Sequence, residues 1–292
     1  MPIDYDDMMQ SGATGLVSSY EEKDVMLYAL GVGFMRDPLD ANELPFVYEN
    51  GGLKVVPTFA SVIARGEAPP ERQRMPQKSS INFMMLVDGE RRITFHNPLP
   101  PRADLIADER TVDIYDKGAG KGAVLVQERA VRNRATNEKL CTITASYFLR
   151  GDGGFGGPGH AQPEPHAIPD RAPDLVKECD TRPDQAFVYA LSGDRNPLHR
   201  DPAIAKMAGF PRPILHGLCS YGTACRAVLS TVGQYQPERI RQFDVRFSKP
   251  VFPGETIVTE MWSDGGVVSF RARVKEREGV VVLNNGLCVL GD

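Results

Sequence analysis

Asp194, Asn196 and His199 fall within one short run, Gly193-Asp194-Arg195-Asn196-Pro197-Leu198-His199. A carboxyl and an imidazole at this spacing, with an amide between them, can grip one water and pass a proton in either direction. Positioned acid–base groups of this kind contribute roughly 10²–10⁴ in rate. The residue types do not say which is base and which is acid. Taken singly, Asp194 would serve as a turn former and His199 as a packing residue. A weak internal repeat argues against that reading: Tyr28-Ala29-Leu30-Gly31-Val32-Gly33 matches Tyr189-Ala190-Leu191-Ser192-Gly193-Asp194. The aligned first-half positions are Gly33, Met35 and Pro38, so the turn is buildable without the Asp, Asn and His.

These side chains need a rigid frame. Asp184 to Leu191 reads as a helix leading into the run. Pro197 disfavours helix at Asn196 and favours a turn there. A second helix then starts with Asp201 as N-cap and Pro202 at its first position, and Gly209 closes it. The loop is clamped at both ends, which is what a site needs. Downstream, Leu215–Leu229 reads as a helix with Leu218, Tyr221, Cys225 and Val228 on one face and small residues over much of the rest. Such a helix is buried nearly all round. Gly217 stands at its start, where backbone N–H groups are unbonded and partly positive. Glycine there lets a ligand approach the backbone, so this N–H can stabilise a developing oxyanion. His216 reads as a structural or supporting residue.

Strand-like runs follow a Pro-rich turn in each half. Pro98-Leu99-Pro100-Pro101 precedes Leu105–Tyr115, Ala123–Arg132 and Leu140–Leu149; Pro250-Val251-Phe252-Pro253 precedes Thr256–Trp262, Val267–Val274 and Val280–Leu290. Several alternate with period two, the mark of half-buried antiparallel strands, and Gly118-Ala119-Gly120 and Gly265-Gly266 supply turns. A Gly- and Pro-rich seam at 151–173 divides the chain into an N-terminal piece, 1–150, and a C-terminal piece, 174–292. Within it, Gly151-Asp152-Gly153-Gly154-Phe155-Gly156 matches a dinucleotide fingerprint literally. The prolines at 158, 163 and 165 forbid the helix that fingerprint requires. The expected class is α+β: a tandem, or double, hotdog, each half a long helix wrapped by an antiparallel sheet.

Composition sets the outer bounds. A chain of 292 residues is about twice a domain of roughly 150. A net charge of −4 gives no cationic field for nucleic acid. No apolar run approaches the roughly 18 residues of a membrane span. Five cysteines without a C-x-x-C read as reduced, buried thiols of a cytoplasmic protein rather than as a zinc site or disulfide framework. The acidic start lacks a signal peptide's basic and apolar regions, and Leu290-Gly291-Asp292 is not a peroxisomal address.

The run Gly193–His199, followed by Ala208-Gly209-Phe210 and Pro213-Ile214-Leu215-His216-Gly217-Leu218-Cys219, closely resembles the R-specific enoyl-CoA hydratases (hydratase 2) of the MaoC-like dehydratase superfamily. Tyr28–Gly33, Gly153–Gly157, Pro250–Gly254 and Thr259–Trp262 are similar too, and the likeness runs from about residue 20 to the C-terminus. The resemblance implies reversible syn hydration of trans-2-enoyl-CoA to (3R)-3-hydroxyacyl-CoA. It implies Asp194 and His199 as the catalytic pair, Asn196 positioning water or substrate, and the Gly217 N–H on the thioester oxygen. Arg195, Pro197, Leu198, Phe247, Lys117 and Gly89 are implied as substrate contacts. The first half is expected to be non-catalytic and to accommodate CoA or a bulky acyl chain. One departure is Asp88, where relatives often carry His in His-Gly-Glu; its carboxylate can repel the CoA phosphates. No metal or redox cofactor is expected, and the expected partners are an acyl-CoA substrate and a second copy in a homodimer, with no nucleic acid or membrane. Two other readings are a hotdog acyl-CoA thioesterase and a non-catalytic acyl-CoA-binding module.

Overall fold

A computed structural model describes residues 3–82 and 85–291. They form two compact units interleaved along the chain. The first unit comprises residues up to Ser19, Ala64–His96 and Asp104–Pro165; the second comprises Tyr20–Ile63, Asn97–Ala103 and His166 onward.

The first unit is mostly sheet. Helix α1 (Tyr5–Met9) precedes β1 (Gly12–Tyr20), β2 (Gln73–Arg74), β3 (Leu86–Phe95), β4 (Ala103–Asp116), β5 (Ala123–Asn133) and β6 (Lys139–Leu149). The spatial order is β2-β1-β4-β5-β6-β3, with antiparallel pairing of β4 to β5, β5 to β6 and β6 to β3. Ile3, Met8, Ile114, Ala123, Leu125 and Leu149 bury together where α1 meets the sheet. The first unit holds no long helix among the described residues: α1 has five residues, and the ten-residue helix of the first half, Glu22–Gly31, belongs to the second unit. Between residues 32 and 72 the chain makes short 3-10 turns at Leu44–Phe46, Pro57–Ser61 and Pro70–Arg72. Prolines there remove the amide donors that a continuous helix needs.

The second unit draws on both halves of the sequence. Helix α2 (Glu22–Gly31) comes from the first; β7 (Leu175–Asp180), α3 (Gln185–Ala190), α4 (Pro202–Met207), α5 (Gly217–Leu229), β8 (Ile240–Phe247), β9 (Thr256–Asp264), β10 (Val267–Val274) and β11 (Val280–Leu290) come from the second. The sheet runs β8-β11-β10-β9-β7, antiparallel throughout. On α5 every residue but Gly217 and Arg226 is buried. Phe243 and Phe270 stack at 4.8 Å, and the Tyr221 hydroxyl donates to the Phe243 carbonyl.

The small residues of α5 admit α2 at close range. A Cβ at Gly222 would lie 2.4 Å from Val32 Cγ1. The Cys219 thiol donates to the Gly31 carbonyl. The two repeated segments, α2 and α3, pack on each other, with the Tyr28 and Tyr189 rings 5.9 Å apart. A buried ion pair, Arg226 Nε to Glu43 Oε1 at 2.6 Å, fixes the stretch after α2, and Glu43 Oε2 also accepts the Met35 N–H.

The seam is not a free linker. Asp116 accepts the N–H groups of Gly154 and Gly156, and Asp113 bonds His160, so its first part is fastened to the first unit. Trp262 Nε1–H donates to the Arg171 carbonyl at 2.8 Å and Asn285 donates to that of His166, so its last part is fastened to the second.

Candidate active site

Helix α3 ends at Ala190, and Gly193, at φ +117°, turns the chain into the polar loop. Each polar residue then caps the next step. Asp194 Oδ1 accepts the Asn196 N–H at 3.2 Å, and Asn196 Oδ1 accepts the Leu198 N–H at 3.0 Å. Pro197, Leu198 and His199 form one 3-10 turn. Asp201 caps α4 through the Ala203 and Ile204 N–H groups, and Gly209 closes it at φ +86°. The loop is therefore clamped as its sequence requires. Arg195 and Asn196 are exposed, Asp194 is half-buried, and His199 is 9 % exposed.

The loop is pinned to the segment that opens α5. His199 Nδ1 lies 2.9 Å from the Ile214 carbonyl. A carbonyl only accepts, so Nδ1 carries the proton and Nε2 is the basic nitrogen. His216 Nε2 donates to the Asp194 backbone carbonyl at 3.1 Å. The two imidazole rings lie 3.8 Å apart at 31°. One polar atom from each of Asp194, His199 and His216 falls within 4.8 Å of the others. Burial, and then the neighbouring His199, draw the pKa of His216 down to about 4, so it is neutral at physiological pH.

Gly217 is the first residue of α5, directly after His216. Cys219 and Ser220 donate back to the His216 carbonyl. The Gly217 and Leu218 N–H groups have no helical carbonyl to bond. A Cβ at Gly217 would meet the Phe247 ring at 3.3 Å, which places Phe247, at the end of β8, against the helix tip. The second unit thus brings together Asp194, Arg195, Asn196, Pro197, Leu198, His199, Gly217 and Phe247. It can hold a water between a carboxylate and a basic nitrogen, beside amides that favour negative charge.

The remaining candidates lie in the first unit. Asp88 forms an ion pair with Arg91 at 3.1 Å, which offsets the charge of its carboxylate. Gly89 is the extra residue at a bulge where β3 pairs with β6; a Cβ there would meet Ser146 Oγ at 2.7 Å. Lys117 follows β4 and donates to Gln162 Oε1 at 3.1 Å. His216, which the sequence marks as a structural or supporting residue, donates to the Asp194 carbonyl. Its place between the loop and α5 is a long-range contact, and the only local signal was its position before Gly217.

The family model described as the MFE-2 hydratase 2 N-terminal domain matches residues 18–151, and the MaoC-like domain matches 165–285. The chain is 40% identical to "Enoyl-CoA hydratase 2, peroxisomal" of Arabidopsis thaliana over 279 residues, 90% of this chain and 88% of that one. It superposes on the crystal structure of a MaoC-like dehydratase from Phytophthora capsici with a TM-score of 0.86, at 35% identity and 99% coverage of both chains. A Mycobacterium tuberculosis protein described as a double hotdog matches in fold, with a TM-score of 0.56 at 14% identity over 99% of this chain and 98% of that one. The fold is a double hotdog, and the chain belongs to the MaoC-like dehydratase family, in the form whose N-terminal part is the hydratase 2 N-terminal domain.

Proposed function

We propose that this protein is an R-specific enoyl-CoA hydratase: it catalyses reversible syn hydration of a trans-2-enoyl-CoA to a (3R)-3-hydroxyacyl-CoA. The observation that carries this reading is the pinning of Asp194 and His199 to the segment that opens α5. The thioester oxygen accepts from the Gly217 N–H, which draws charge off the β-carbon and makes it electrophilic. A water held by the Asp194 carboxylate and His199 Nε2 adds through its oxygen to the β-carbon while Nε2 takes its proton. The Asp194 carboxylate stabilises the resulting imidazolium. The imidazolium then returns that proton to the α-carbon from the same face, which makes the addition syn. Asn196 holds the turn that carries His199 and leaves its amide N–H₂ for water or substrate. Arg195, Pro197, Leu198 and Phe247 wall the site.

Every step uses a side chain or backbone amide of this chain, and we assign no metal or redox cofactor. Dialysis against a chelator should leave the rate unchanged. Asp88, Gly89 and Lys117 are proposed as CoA or acyl contacts of the non-catalytic first half. A homodimer is proposed on β7, the end strand of its sheet, where Leu175 and Val176 are exposed. Five buried cysteines outside any disulfide support a cytoplasmic placement; the peroxisomal name of the Arabidopsis relative makes fractionation of cells expressing the chain the check.

The deciding assay follows the conjugated enoyl-thioester absorbance together with free thiol. Loss of absorbance without thiol release, and a (3R) product on chiral analysis, is the expected result. Release of CoA thiol would instead mark a thioesterase, and binding without turnover a carrier.

A further inference from the structure

His216 is a buried titratable side chain in ring contact with His199 that the mechanism leaves without a role. It is 1 % exposed, and its Nδ1 is buried with no hydrogen-bond partner. An unpaired buried polar atom is destabilising, and an apolar ring of similar size would fill the space without it. The imidazole does one thing such a ring cannot: its Nε2–H donates to the Asp194 carbonyl. At the same time its face lies 3.8 Å from that of His199. The groups that face it are His199, Asp194 and Arg200 from the loop and Tyr189 from α3, whose ring centroid is 4.9 Å away.

We infer that His216 is the positioning residue of the dyad. One N–H sets the backbone of Asp194, and one ring face sets the plane of His199, so a single side chain fixes both members relative to the opening of α5. Burial and the adjacent ring keep it neutral, so a proton taken from water resides on His199. This rests on the reading of Asp194 and His199 as the dyad.

The test is hydration of a short trans-2-enoyl-CoA by the wild type and by Asp194→Asn, His216→Phe and His216→Gln, each checked for fold by circular dichroism. His216→Phe keeps a ring and removes the donor; kcat should fall about ten- to hundred-fold, the scale set by loss of alignment, with KM little changed. His216→Gln returns a donor near the Nε2 position without the ring, and its kcat should lie between the two. Wild-type kcat in His216→Phe, or no recovery in His216→Gln, overturns the inference. Should His216→Phe fail to fold, His216→Gln decides: lowered kcat with KM held supports it, and raised KM with unchanged kcat overturns it. Asp194→Asn at wild-type rate overturns the dyad and this inference together. An inactive Asp194→Asn beside a wild-type His216→Phe overturns this inference alone.

Discussion

Asp194 does two jobs at once. Its Oδ1 holds the turn through the Asn196 N–H, while its carboxylate lies within 4.8 Å of His199 and His216 atoms. Asp194→Asn keeps an oxygen for the turn and removes the charge that stabilises an imidazolium. His199→Gln removes the basic nitrogen. Each should lower hydration of a short enoyl-CoA by about two orders of magnitude with an unchanged circular dichroism spectrum; near wild-type rates in either would defeat the assignment. Gly217→Ala keeps the backbone N–H and tests whether the substrate oxygen needs the close approach that glycine allows. The added methyl meets Phe247 at 3.3 Å, so a modest stability loss is expected alongside a fall in kcat. A stability loss alone, read by thermal melting with kcat intact, would show that the reaction does not depend on that close approach.

At the scale of elements, α5 positions the site because it is held on all sides. Gly222 is a point of close approach: a Cβ there would meet Val32 at 2.4 Å and the Tyr28 hydroxyl at 3.0 Å. Gly222→Val should overpack this contact and cost about 1–3 kcal/mol or more in denaturant unfolding. The Glu43–Arg226 pair is a second fastening. Glu43→Gln leaves a buried guanidinium without its counter-charge and should destabilise by about 3–5 kcal/mol. A melting temperature equal to the wild type's would show that the pair is not needed to hold the stretch after α2. The aligned first-half loop thus ends on a structural ion pair where its counterpart carries the dyad.

For the whole molecule, His216 links the site to acid stability. Its pKa is about 4 in the folded chain against an ordinary value of 6.5. The unfolded chain binds this proton first, so the contribution to stability is complete above pH 6.5 and is lost as pH falls toward 4. The melting temperature of the wild type should therefore drop more steeply between pH 6.5 and 4 than that of His216→Phe, which has nothing to titrate there. Parallel slopes would show that His216 titrates normally. The homodimer is checked by light scattering on the full chain, where a monomer mass at micromolar concentration would reject it.

The local pattern of the chain was legible because it is written in neighbours. The caps at Asp201 and Gly209, the turn at Pro197, and the strands Val267–Val274 and Val280–Leu290 all rest on spacings of a few residues, and each stands where the sequence puts it. Strands β1, β2, β3, β7 and β8 were not legible: β2 has two residues and β7 six, and small or charged residues interrupt the apolar alternation of β1, β3 and β8. Three matters waited for tertiary structure. One is the missing long helix of the first unit. Another is the interleaving that sends α2 to pack on α5. The third is the role of His216. Each depends on contacts between residues far apart in the chain: Gly31 with Cys219, Glu43 with Arg226, and Asp194 with His216. Sequence alone determined which side chains can move a proton, because that chemistry belongs to residue types. Only folding decided which nitrogen of His199 carries its hydrogen, because that is set by the Ile214 carbonyl fifteen residues away.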